Sequence, residues 1–200
     1  AILGRNGSGK TTVIKLSSGL FGSTDGLITF DGVDTKQIHN DDLSRSIGMV
    51  LQDVQLFSGS VLENIIMGRE GITQEDVIEA AKISGLDEFL GKMPGGYDLV
   101  LQDKGKGLSG GQRQAIAITR ALVHKPSHYI LDEPTSAMDM NSELQFIENF
   151  KEMYADSTLI VVSHRMPLVN LVDRIIVMND GKVVDDGPKD EILAKLQPTT

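Results

Sequence analysis

The stretch GRNGSGKT, Gly4 to Thr11, decides how the rest of the chain is read. Gly4, Gly9, Lys10 and Thr11 match the spacing GxxxxGK[ST], in which backbone N–H groups at a helix start cradle phosphate oxygens. Glycine is needed because such a loop curls around an anion with dihedrals and clearances that a Cβ would block. Asn6, Gly7 and Ser8 within the loop and Thr12 just beyond it fall on the same cradle. Lys10 is placed to reach the β- and γ-phosphates of ATP, and the Thr11 hydroxyl to ligate Mg²⁺. Apolar Ile2 and Leu3 precede the loop, and Val13, Ile14 and Leu16 follow at helical spacing toward Gly19. This strand-loop-helix context separates the motif from a Gly-rich turn carrying a solvated lysine.

The second informative stretch is YILDE, Tyr129 to Glu133. A short apolar run ending in two acids suits a buried parallel strand that delivers carboxylates to its carboxyl end, where open α/β sheets bind ligands. Asp132 would hold magnesium, and Glu133 would orient and deprotonate the attacking water. Two acids before a proline, here Pro134, also read as a turn or helix start. The phosphate loop's need for an acidic partner decides between the readings.

The third is LSGGQ, Leu108 to Gln112. Ser109 is a good N-cap, Gly110 and Gly111 let backbone donors approach an anion, and Ile116, Ile118, Ala121 and Leu122 supply an apolar stripe for the helix behind them. That helix points the positive end of its dipole past Ser109. The chain already has a phosphate loop, so a second anion site is best explained by ATP bound to a partner chain, with an ordinary helix cap as the alternative.

Three further short motifs complete an ordered set: Gln52 after the apolar run Ile47 to Leu51, SAMD at Ser136 to Asp139, and His164 after the strand Thr158 to Ser163. With these, the chain resembles the nucleotide-binding domain of ABC (ATP-binding cassette) transporters over essentially its whole length. The resemblance implies an α/β fold: a P-loop NTPase core with a mostly parallel sheet, a small antiparallel edge and an inserted α-helical subdomain. Residues 1–200 would be one ATPase domain, with residues 53–125 as the helical subdomain carrying LSGGQ. Gln52 would contact magnesium and the attacking water, His164 the γ-phosphate, and Asp139 would organise a dimer seam. Catalysis would then rest on Glu133, His164, Gln52 and Lys10, and magnesium on Thr11, Gln52 and Asp132. Gly4, Asn6, Gly7, Ser8, Gly9, Lys10, Thr11 and Thr12 would bind the nucleotide of their own chain, and Ser109, Gly110, Gly111, Gln112 and Asp139 that of the partner. His39, His124 and His128 lie in no motif and read as surface polarity.

The run GYDLVLQDKGKGLSGGQRQAIAITRAL is similar to the exporter pattern, in which a Tyr-Asp pair and a short acidic-glycine loop touch the coupling helices of a membrane domain. SAMD and the late DDGPKDEIL are similar to type I secretion and peptide or bacteriocin exporter ATPases. Gln102 and Asp103 stand where exporters usually have Gly-Glu, and Thr119 where a small apolar residue is usual, which bears on coupling through Tyr97 and Asp103 rather than on ATP chemistry. Partners implied are a second nucleotide-binding domain and a transmembrane domain on the same polypeptide, at the cytoplasmic face of the cell membrane. Because Gly4 is preceded by three residues, the family's first antiparallel strands and its adenine-stacking aromatic are expected upstream, and the chain reads as a fragment of a longer polypeptide. A soluble ABC ATPase acting on ribosomes or DNA, which usually brings a long coiled-coil insertion or tandem cassette, and an importer ATPase are the alternatives.

Composition narrows the classes further. At 200 residues with 40% hydrophobic content the chain can bury a proper core, and with no cysteine it has neither disulfides nor thiol chemistry. Its net charge of −9 and lack of a basic block argue against a nucleic-acid surface. The longest apolar runs, such as Leu159 to Val162, are far short of the ~20 residues that cross a bilayer. Beyond the motifs, Leu27 to Val33 reads as a hairpin turning at Asp31-Gly32, the family's antiparallel edge. Ser60 with Glu63 reads as a capping box, and Thr73 to Gly85 as a capped helix with Val77, Ile78, Ala81 and Ile83 inward. A helix is read around Leu144, Ile147 and Phe150, a strand at Arg174 to Met178, a turn at Asn179-Asp180-Gly181 and a last helix at Lys189 to Leu196.

Overall fold

A computed structural model describes residues 1–102, 105–153 and 156–196; Asp103, one of the two residues tied to coupling, lies outside the described residues. The first part of the chain forms β1 (Ile2–Gly4), α1 (Lys10–Ser17), β2 (Thr29–Phe30), β3 (Val33–Asp34), α2 (Asn40–Ser46) and β4 (Ile47–Val50). A helical stretch follows: β5 (Gly59–Ser60), α3 (Val61–Ile66), α4 (Gln74–Ser84), α5 (Leu86–Leu90), β6 (Val100–Leu101) and α6 (Gly110–Leu122). Strand and helix then alternate through β7 (His128–Asp132), α7 (Met140–Met153), β8 (Thr158–Val162), α8 (Met166–Val169), β9 (Arg174–Asn179), β10 (Lys182–Pro188) and α9 (Lys189–Leu196).

Six strands make one sheet in the order β10-β9-β1-β8-β7-β4. Every neighbouring pair is parallel except β9 and β10. The α/β, mostly parallel architecture is therefore the one the motifs implied, with one reassignment. The hairpin forms as read, closed by Asp31 at φ 50° and Gly32 at φ 81°, the two positive dihedrals a tight hairpin turn requires. It stands as a separate two-stranded sheet, however, and the antiparallel edge of the main sheet is β10.

Local signals account for the helix boundaries. Ser60 and Glu63 exchange side-chain and backbone hydrogen bonds at the start of α3, Thr73 and Asp76 do so at α4, and Gly85 ends α4 in the left-handed region at φ 75°. Ile14 pins α1 to the sheet and is fully buried, which stabilises its placement by about 1.5–3 kcal/mol. A single apolar cluster runs from Ile65, Ala81 and Ile118 of the helices to Tyr129, Phe146 and Val161, so the helical stretch shares its core with the sheet. Thr119 fits that core because its hydroxyl lies 2.7 Å from that of Ser84 and donates to the Ala115 carbonyl at 2.8 Å. On α7 the buried stripe is Glu143, Phe146 and Phe150, with Ile147 packed beside it, while Leu144 is 45% exposed. Among the described residues no helix is long and apolar enough to cross a membrane.

Candidate active site

Four strands that are neighbours in the sheet, β1, β8, β7 and β4, run parallel and so present their carboxyl ends along one edge. The phosphate loop leaves β1, Gln52 follows β4, Asp132 ends β7 with Glu133 behind it, and His164 follows β8. Around these ends lies a cavity of about 390 Å³ lined by Asn6, Gly7, Gly9, Lys10, Thr11, Thr12, Gln52, Asp132, Glu133, Val162 and His164. A larger cavity, about 590 Å³, is lined by Ile2, Val13, Phe150, Leu159, Leu171 and neighbours and includes none of the motif residues. Volume alone therefore does not locate the chemistry; convergent polar groups do.

The loop's geometry explains its glycines. A Cβ at Gly4 would sit 2.3 Å from the Met178 carbonyl oxygen and 2.6 Å from Ser8 Oγ, and Gly9 caps α1 at φ 100°. Lys10 is largely buried, and its ammonium donates to the carbonyls of Gly4 at 2.8 Å and Arg5 at 3.0 Å, which holds it across the loop mouth. Ser8 is buried and its Oγ has no hydrogen-bond partner among the described residues, a polar atom suited to a ligand oxygen in the loop.

Thr11 Oγ1 donates to Asp132 Oδ2 at 2.9 Å, bringing together residues 121 apart in sequence. A hydroxyl beside a carboxylate is an all-oxygen set of the kind that holds Mg²⁺ with few protein ligands, the rest coming from phosphate and water. Among the described residues no group of three or more His, Cys, Asp or Glu is arranged to hold a metal ion. Glu133 adopts φ 48°, uncommon for a residue with a Cβ. It is held there by its N–H, which donates to the Val162 carbonyl at 2.8 Å, and by the Ser163 hydroxyl, which donates to its Oε2 at 3.1 Å.

The signature residues lie elsewhere. Ser109 Oγ accepts from the Gln112 N–H at 3.2 Å, Gln112 Oε1 accepts from the Ser109 N–H at 2.8 Å, and these two bonds close a capping box on α6. Gly110 and Gly111 face Ala137: added Cβ atoms would lie 3.3 Å from its Cβ and 3.0 Å from its carbonyl oxygen. Ser109 to Gln112 line a cavity of about 400 Å³ with Ala137, Met138, Asp139 and Ser142, and no residue lines both this cavity and the phosphate-loop one. Asp139 caps α7, accepting from the N–H groups of Asn141 and Ser142 and from the Ser142 hydroxyl, which lowers its pKa, the hydroxyl bond contributing most.

Two residues differ from their sequence reading. His124 is half-buried rather than superficial; burial first, then the nearby Arg69, lowers its pKa to about 4. His128 is also drawn in, its ring 4.3 Å from that of Phe30. Tyr97 donates its hydroxyl to Asp87 at 2.9 Å, and burial and that bond push its pKa above the ordinary value. The site residue that sequence reasoning missed is Glu143, since a glutamate on a helix reads as solvated until its tertiary partners are known.

The ABC transporter family model matches residues 1–136. The chain is 42% identical over 193 residues to the cyclolysin secretion/processing ATP-binding protein CyaB of Bordetella pertussis, covering 96% of this chain and 27% of that protein. It is 41% identical over 194 residues to the alpha-hemolysin translocation ATP-binding protein HlyB of Escherichia coli, covering 97% of this chain and 27% of the relative. The chain thus spans about a quarter of the length of these curated relatives. A solved bacterial Atm1-family ABC exporter with ATP bound superposes with a TM-score of 0.91 at 31% identity, over 98% of this chain and 34% of that one. The chain belongs to the ABC transporter family.

Proposed function

We propose that this chain is the motor of a membrane exporter, hydrolysing Mg-ATP at the interface of a head-to-tail pair of such domains and driving export of a polypeptide. The observation that carries the catalytic half is the single cavity in which Lys10, Thr11, Asp132, Glu133, Gln52 and His164 converge from four adjacent parallel strands. Lys10 exchanges its loop carbonyls for the β- and γ-phosphate oxygens, and the loop's backbone donors hold the remaining charge. Thr11, Asp132 and Gln52 would hold magnesium, which when bound would offset charge building on the phosphates. Glu133 orients the attacking water and takes its proton, and His164 contacts the γ-phosphate from the β8 side.

The shared site is supported by the separation of the two cavities and by the start of α6, where the Gly110 and Gly111 N–H groups, like the first N–H groups of any helix, have no carbonyl of their own helix to donate to. Residues 53–125 act as a helical subdomain that carries this surface, with Tyr97 at its coupling side. Export is supported by the secretion and translocation roles in the names of CyaB and HlyB. A transmembrane domain on the same polypeptide, placing this domain at the cytoplasmic membrane face, is supported by those relatives being about four times longer. The test is ATP hydrolysis and substrate export by the full-length protein in vesicles. Export lost together with hydrolysis in Lys10→Ala is the expected result; export that persists without ATP hydrolysis would contradict the assignment.

A further inference from the structure

Glu143 is the buried carboxylate that the reaction described above does not use. Its side chain is 6% exposed, and both its oxygens are engaged: Oε1 accepts from the Thr135 hydroxyl at 2.5 Å and Oε2 from Arg165 Nη1 at 2.7 Å. Each partner belongs to a functional segment. Thr135 is fully buried in the turn between Glu133 and Asp139, a turn closed by the Ser136 N–H on the Glu133 carbonyl and the Met138 N–H on the Thr135 carbonyl. Arg165 follows His164, and its own N–H donates to Ser163 Oγ, the hydroxyl that donates to Glu133 Oε2. A closed circuit results: Glu133, Ser163, Arg165, Glu143, Thr135 and back along the turn to Glu133.

We infer that Glu143 and Arg165 are positioning residues that lock the loop of His164 to the Glu133–Asp139 turn, so that base, histidine and seam move as one body. The chemistry favours this over a purely structural anchor. A buried carboxylate is retained only with strong partners, and an apolar side chain would fill the same α7 stripe beside Phe146 and Phe150. Its partners are not core groups but the two segments that must hold fixed geometry toward one γ-phosphate, where small displacements are costly. Since Asp139 lies at the far end of the same turn, docking of a second domain at the seam would reach His164 through Glu143. This inference rests on the catalytic reading of Glu133 and His164.

The experiment measures kcat and KM for ATP in the full-length protein for Glu143→Gln, Arg165→Gln, their double mutant and Arg165→Lys, with amide hydrogen exchange across residues 158–166. Each Gln variant should lower kcat about 10- to 100-fold, the usual effect of losing a group that orients a functional one, at unchanged KM. The double mutant should be no worse than the poorer single, because the two act as a unit. Arg165→Lys, which keeps the charge, should recover most of kcat, and exchange should rise at residues 163–166 while β8 stays protected. Wild-type kcat in Glu143→Gln, additive losses, or exchange rising evenly over the sheet with kcat and KM changing together would overturn the inference. Should Glu143→Gln fail to fold, the Arg165 pair, whose side chain is 36% exposed, decides by the same criteria. Glu133→Gln in the same assay separates the two levels: if it hydrolyses normally the catalytic reading fails, whereas if it is inactive and Glu143→Gln is not, only the positioning role fails.

Discussion

The phosphate loop and the signature loop are both glycine-rich segments opening a helix, yet the chain completes only one of them. Around the phosphate loop, the cation, the Thr11–Asp132 pair and the base come from the same sheet edge. At the signature loop, the side chains of Ser109 and Gln112 satisfy each other, Asp139 satisfies α7, and the described residues that line the cavity include no lysine or arginine. Under the proposed shared site, the signature loop supplies donors to a phosphate that the partner's loop holds. The difference teaches that glycine spacing marks where a phosphate can be approached, while the strand ends decide where it can be cleaved.

The strongest test of the complete site is the base. Glu133→Gln should retain ATP binding while turnover falls about 10²- to 10⁴-fold, the usual contribution of a positioned general base, and the variant should accumulate as an ATP-bound dimer. Hydrolysis assays read beside sedimentation check this; undiminished turnover would remove Glu133 from the mechanism. For the incomplete site, Gly110→Asp should abolish hydrolysis through loss of dimerisation and leave ATP affinity of the single domain nearly intact, because its carboxylate would oppose a phosphate across the interface. The added Cβ meets Ala137 at 3.3 Å, a contact that a small shift relieves, so the domain itself should fold. Calorimetric titration with ATP would expose the opposite case, equal loss of affinity in the single domain.

Away from both sites, Thr119→Val removes the hydroxyl's bonds to Ser84 and to the Ala115 carbonyl while Ser84 keeps the Ala81 carbonyl and the Leu86 N–H, and should lower stability by about 1–2 kcal/mol in urea unfolding, with kcat per folded molecule unchanged. The smallest effect concerns His124. Its folded pKa, about 4, lies below the ordinary 6.5, so the unfolded chain takes the proton first. Its contribution is constant above pH 6.5 and is lost as pH falls from there toward 4. His124→Gln should flatten that decline by about 1 kcal/mol, the shift being discounted because the ring is partly open to solvent. Unfolding midpoints measured across that range would show it, and an unchanged slope would mean the ring is solvated.

What was legible in the sequence is what short-range chemistry dictates. The strand-loop-helix at Gly4, the capping box at Ser60, the N-caps at Thr73 and Ser109 and the buried run before Asp132 are each settled within a few residues. Strand β10 was not legible, because KVVDDGP has no clean alternation and forms by pairing with β9 through a bulge between Val183 and Asp185. The separate hairpin sheet, the inward turn of His124 and the burial of Glu143 likewise depend on neighbours far along the chain. The candidate site was therefore read residue by residue, but the circuit that ties Glu133 to Glu143 was not.

The division into one complete and one incomplete site is best challenged by mixing the two defects. Lys10→Ala protomers keep an intact signature loop, and Gly110→Asp protomers keep an intact phosphate loop; each homodimer should be inactive. Co-expressed and purified as mixed dimers, they should hydrolyse ATP, because one of the two interfaces then pairs a working phosphate loop with a working signature. Mixed dimers as inactive as either parent would contradict a site shared between chains.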